Sequence, residues 1–243
     1  KIAGGVIAVL IILGTLAVHV AGNKAAGFVN EMADKQTVLQ GKLQIGHFSA
    51  SVSGNVVFEN VVWTAPDGKK LAEVPEMNVS ANLFDILKGS FGINSINSIS
   101  IEKPQFAVNY TDKDGLDIIN YINFSDKDDE TPTEFRGMVK ITDGALALDM
   151  NGQKLDFSKV EMQANLKEFP DIKFTLQGKN GDADLIGSID KVYDDVTIGA
   201  EVKNLQITEL MKVLPSFGEL SITGGVINGA KLAAGLHLSL IHI

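Results

Sequence analysis

Apolar residues recur at every second position through most of this chain. Phe48, Ala50 and Val52 alternate with serines, and Ile99 with Ile101 is followed by Phe106, Val108 and Tyr110 in the same rhythm. Val160, Met162, Ala164 and Leu166 repeat it, as do Ile172, Phe174 and Leu176, then Val196, Ile198, Ala200 and Val202. Side chains on a strand point alternately to its two faces, so each run reads as a strand with one apolar face, whereas a helix would scatter the same residues around its circumference. The chain is therefore predicted to build an antiparallel or mixed β-sheet. Asp67-Gly68, Asp143-Gly144 and Asn151-Gly152 are predicted hairpin turns, because both positions of such a pair tolerate positive φ.

Few helices are available to cover that apolar face. The candidates are Leu83 to Lys88, capped by Asn82 and ended by Gly89; residues 116–122; and residues 209–213, with Thr208 as N-cap and Pro215 beyond. Upstream, Ala25, Phe28, Val29 and Met32 recur at helical spacing, which predicts a helical connector over 23–40. Residues 2–20 contain no Asp, Glu, Lys or Arg. About twenty helical residues span the roughly 30 Å hydrocarbon layer, and the run exceeds the roughly 7–15 apolar residues of a cleavable signal, so 1–22 is read as an uncleaved transmembrane anchor. Lys1 before it and Lys24, Lys35 and Lys42 after it leave its orientation open. Residues 125–134 carry no large apolar side chain and read as an acidic loop between β-rich regions at 41–124 and 135–237. The chain opens on Lys1 and reads as a fragment, and its last residues, 238–243, resemble the translation of a transposase end and are set aside as a sequencing artefact.

The formal net charge of −9 argues against a nucleic-acid partner, since phosphate binding needs clustered Lys and Arg. Cysteine is absent, which removes thiol nucleophiles, disulfides and thiolate metal sites. His47 is the one histidine outside the anchor and the C-terminal end, so histidine triads and metal clusters have too few members. No GxSxG elbow, P-loop or HExxH occurs, and neither the acidic loop nor Asp112-Lys113-Asp114-Gly115 has calcium-loop spacing. No enzyme, cofactor or metal site is expected.

The order of features from residue 41 to 122 resembles the AsmA-like and TamB family of envelope proteins. The resemblance rests on Leu43-Gln44-Ile45-Gly46, Gly54-Asn55-Val56-Val57-Phe58-Glu59-Asn60-Val61, Asp67-Gly68-Lys69-Lys70-Leu71-Ala72, Asn82-Leu83-Phe84-Asp85-Ile86-Leu87-Lys88-Gly89 and Ile99-Ser100-Ile101-Glu102-Lys103-Pro104. Gly137-Met138-Val139-Lys140-Ile141-Thr142-Asp143-Gly144 and Lys203-Asn204-Leu205-Gln206-Ile207 are similar to the family's later repeats. The resemblance implies an inner-membrane, single-pass anchor followed by an elongated, bent β-groove through the periplasm of a diderm bacterium. It further implies movement of phospholipid toward the outer membrane, and an outer-membrane barrel partner engaged through a C-terminal part that this chain does not reach.

Combined with that resemblance, the period of two assigns lipid contact to Ile99, Ile101, Phe106, Val108, Val160, Met162, Phe174, Leu176, Ile198 and Val202, all on one apolar surface. A one-residue slip in register would exchange the faces. Two classes of function follow: a bridge that conducts phospholipid along an open apolar groove, or a scaffold for outer-membrane protein assembly whose apolar face is closed by a second sheet.

Overall fold

The computed structural model describes residues 34, 39–51, 53–88, 93–123, 135–209 and 224–237. The predicted anchor, nearly all of the helical connector, the acidic loop and the C-terminal six residues lie outside them. Among the described residues no helix is long and apolar enough to cross a membrane.

The chain is mainly β. Its strands are β1 (Lys42–Ala50), β2 (Asn55–Thr64), β3 (Lys70–Ala81), β4 (Ile96–Glu102), β5 (Gln105–Thr111), β6 (Gly115–Leu116), β7 (Met138–Met150), β8 (Gln153–Asn165), β9 (Ile172–Asn180), β10 (Ala183–Val192), β11 (Asp195–Lys203), β12 (Leu205–Gln206), β13 (Val226–Ile227) and β14 (Ala230–His237). One mixed sheet runs in the order β1-β2-β3-β4-β7-β8-β9-β10-β11-β14, while β12 and β13 pair separately. β4 and β5 occupy one position in it: both lie antiparallel to β3 and parallel to β7.

Local chemistry explains most of the boundaries. The helix α1 (Leu83–Lys88) begins where the Asn82 side chain accepts a hydrogen bond from the Phe84 amide at 3.0 Å, and it carries Asp85 early and Lys88 late, as the helix dipole favours. The Asn151-Gly152 turn has φ of 52° and 85°, positive at both positions as the tight hairpin between β7 and β8 requires. At Asp67-Gly68 the chain reverses between β2 and β3, the Gly68 amide reaching the Ala65 carbonyl at 3.0 Å.

Four expectations need correcting. Asp143-Gly144 is not a turn but a bulge inside β7: Asp143 has φ of 53°, and the register with β8 shifts between Ile141 and Gly144. The bulge lies beside the break at Lys103-Pro104, where a Cβ at Gly144 would come 3.2 Å from Ile141 and 3.3 Å from the Pro104 ring. Bonds from the Lys103 amide to the Thr142 carbonyl (2.8 Å) and from Ala145 to Pro104 (2.7 Å) carry the parallel ladder across the gap. The helix predicted at 116–122 shrinks to α2 (Asp117–Asn120), which has no side-chain cap, because Leu116 pairs with Tyr110 and Ile122 forms a bridge with Leu39. That bridge, with the Gln40 amide bonded to the Tyr121 carbonyl at 2.7 Å, also takes Leu39 and Gln40 out of the helix predicted for the connector. Residues 207–209 are already helical, so Thr208 lies within a turn it was expected to cap; 210–213 are outside the described residues.

The bulges align. Register places Glu59, Glu76, Glu102 and Thr142 in one row, and the next residues Asn60, Lys103 and Asp143 all have φ between 50° and 54°. Lys159, at φ of 50°, marks a matching bulge in β8. Each adds twist, and together they cross the sheet as a line.

Candidate functional site

Directly opposed residues in a ladder share a face, so the register can be followed from strand to strand. One row runs Val79, Ile99, Val139, Ala164, Phe174, Ile189, Ile198 and Ala234; the next runs Met77, Ile101, Ile141, Met162, Leu176, Gly187, Ala200 and Leu232. Leu185 and Val202 continue the same face one step on, as do Phe106 with Leu146 and Val108 with Leu148 on the first half. Val160 alternates with Met162 and joins them. All ten residues selected from the sequence therefore fall on one face.

Their surroundings differ. Adjacent parallel strands need a crossover that packs on one face of the sheet, and here the crossover is the segment from β5 through α2 to β7. It lands on the apolar face: Ile118, Ile122 and Phe135 join a buried cluster with Leu39, Leu166 and the side chains of β1 to β8. Ile99 and Ile101 are 0% exposed, Met162 6% and Val108 7%, so these four contribute to a packed core and offer no surface to an external ligand. Phe106, Val160, Phe174 and Val202 are half-buried. Leu176 and Ile198 are 41% and 42% exposed. Beyond β8 the face is partly open: Leu176, Ile189, Ile198, Leu232 and Leu236 are exposed, while Ile172 and Phe174 pack against the edge of the core.

The crossover is latched at one end. The Lys69 ammonium lies 2.6 Å from Asp117 Oδ2, and Asp117 Oδ1 accepts the Asn109 amide at 2.8 Å. Trp63 Nε1 donates to the Gln40 carbonyl at 2.9 Å, and the Gln40 side chain donates to Asn123 at 2.9 Å. Burial, then the charges of Asp67 and Asp117, raise the Tyr121 hydroxyl above its ordinary pKa. Because the latch is partly shielded from water, Asp117→Ala is expected to cost about 1–3 kcal/mol in a urea titration, while breaking the exposed Lys70 to Glu73 pair costs at most about 1 kcal/mol. Equal small losses would mean that the latch contributes nothing beyond a surface ion pair.

The opposite face is polar. Lys179 holds the Asp184 carboxyl below its ordinary range, and Lys231 with Lys203 does the same for Glu201. These contributions exist above the usual carboxylate pKa and are lost as pH falls through the lowered values. His47 shares a row with Glu59, Glu76 and Glu102, yet among the described residues no group of acidic and histidine side chains is arranged to hold a metal ion. A cleft of about 630 Å³ on this face is lined by Ser49, Ser51, Ser53, Asn55, Ser80, Ser98 and Ser100, among others.

Sequence reasoning missed the exposed face residues Ile189, Leu232 and Leu236. Their signal was weak because Gly187, Ala200, Ala230 and Ala234 occupy the same face and dilute the apolar alternation. No protein-family model matches this chain, and neither a curated protein nor a solved structure matches it.

Proposed function

We propose that this chain is a non-enzymatic, membrane-anchored bridge that carries phospholipid along the apolar face of its sheet, in the periplasm between inner and outer membrane. The observation that carries the reading is the single apolar face: register keeps it continuous from β1 to β14, the first half is buried in the core to which the crossover contributes, and from β9 onward it still exposes Leu176, Ile189, Ile198, Leu232 and Leu236. Among the described residues the second sheet is the two-residue pair β12-β13, too short to close a face that spans β9 to β14, which favours the bridge over the scaffold. The family resemblance supplies the location and the direction of movement.

The physical need for such a face is large. Exposing acyl chains costs about 0.8 kcal/mol per methylene, so a lipid with about thirty methylenes faces roughly 20–25 kcal/mol on full transfer through water. A strip of Val, Ile, Leu and Phe removes most of that cost while the head group stays solvated. The positive-φ kinks at Asn60 and Lys103, with the bulges at Asp143 and Lys159, would bend the sheet into a groove around the chains. No bond is made or broken, so the mechanism is surface continuity.

Photo-crosslinkers tell the two readings apart. Placed at Leu176 and Ile198 in cells, they should capture phospholipid; placed at Thr175 and Thr197 on the other face, or at buried Ile101, they should not. Equal labelling of both faces, or none at Leu176 and Ile198, removes the bridge and leaves the scaffold.

A further inference from the structure

The open part of the apolar face carries a charge at one end. On β9, β10, β11 and β14 the shared rows are Ile172, Lys191, Val196 and Leu236; then Phe174, Ile189, Ile198 and Ala234; then Leu176, Gly187, Ala200 and Leu232; then Leu185 and Val202 with their neighbours Gly178 and Ala230. Lys191 is the one charged side chain in these rows. Its ammonium donates to the Pro170 carbonyl at 3.0 Å, which keeps it at the strand end.

Four carboxylates lie near it, and three of them have partners of their own. Asp171 accepts the Tyr193 amide at 2.7 Å, Asp195 pairs with His237 at 2.8 Å, and Asp190 faces the other side toward Lys173 at 4.0 Å; Asp194 lies in the exposed turn. At the far end of the same strands the face finishes in Asn180 and Ala183, without charge. Between the two ends runs a shallow trough. Gly187 and Ala200 form its floor, with Ile189 and Ile198 on one side and Leu185 and Val202 on the other. From Lys191 to Leu185 the strand covers about 20 Å, against the roughly 15 Å that one acyl chain spans in half a bilayer.

We propose that this face holds a phospholipid with a net negative head group, its phosphate at Lys191 and a chain lying along β10 and β11 over Gly187 and Ala200. The proposal rests on the lipid-carrying reading above and adds the head-group charge and the orientation. A solvated ammonium against a phosphate at an open site is a modest attraction, enough for a preference of about two- to five-fold. The remaining affinity comes from chain burial and is indifferent to charge.

The test uses the full chain in an amphipathic polymer, titrated with dihexanoyl phosphatidylglycerol or dihexanoyl phosphatidylcholine below their micelle concentrations. The native protein should bind the anionic lipid about two- to five-fold more tightly, and added salt should shrink that margin. Lys191→Gln should abolish the preference, while Lys173→Gln, which removes a cation from the opposite face, should keep it. Gly187→Leu should weaken both lipids alike by filling the trough, and it should fold, since the first atom of a new side chain meets nothing closer than the Leu176 carbonyl at 3.9 Å. Equal native affinities, or a preference that survives Lys191→Gln, would overturn the head-group assignment and leave lipid binding standing. Unchanged binding by Gly187→Leu would overturn the placement of the chain. Failure of the native protein to bind either lipid would remove the lipid-carrying reading itself.

Discussion

Ile101→Ala is expected to lower the unfolding free energy by about 2–5 kcal/mol, while Ile198→Ala lowers it by about 1 kcal/mol or less. The two residues are chemically identical and lie on the same face of the same sheet. Ile101 is 0% exposed, between Met77 and Ile141 and within the cluster that α2 and Phe135 complete, so its truncation leaves a cavity as well as losing transfer energy. Ile198, with Ile189 and Ala234 beside it, is exposed on the open half and has little packing to lose. Urea titrations with a common slope measure the difference directly. Similar losses at the two positions would mean that the face is covered to the same extent throughout, and the open track would be lost with it.

Gly41→Ala is expected to destabilise the chain by about 3 kcal/mol or more, against about 1 kcal/mol for Gly68→Ala. Both glycines have positive φ, 92° and 88°, so both substitutions strain the backbone. The neighbours decide the rest: a Cβ at Gly41 would sit 2.1 Å from the Thr64 carbonyl oxygen, whereas one at Gly68 meets nothing within 4 Å. Gly41 also links β1 to Leu39 and Gln40, which hold the crossover at Tyr121 and Ile122. Displacing that link should release the bond from Trp63 to Gln40 and expose the indole. Because Trp63 is the single tryptophan, its fluorescence should shift to the red in Gly41→Ala and stay put in Gly68→Ala. Equal effects of the two substitutions would show that φ alone governs, with no close approach at Gly41.

What could be read from residues alone was what depends on near neighbours in the chain. The shared face of Ile99, Ile101, Phe174, Leu176, Ile198 and Val202 follows from side-chain alternation, a property of the extended backbone that survives any choice of partner strand. The cap at Asn82 and the Asn151-Gly152 hairpin are equally local, each decided within a few residues. Tertiary structure decided which part of that face is closed. The parallel placement of β4 and β5 beside β7 forces a crossover, and its Ile118, Ile122 and Phe135 join the buried cluster that holds Ile99 and Ile101, while Leu176 and Ile198 stay exposed. The same remoteness explains Asp143-Gly144, whose dipeptide suits a turn or a bulge equally well and is a bulge here, in a long strand beside the break at Pro104. Local patterning determines which side of a strand is apolar; strand order and connection handedness, which arise from contacts distant in sequence, determine what covers it.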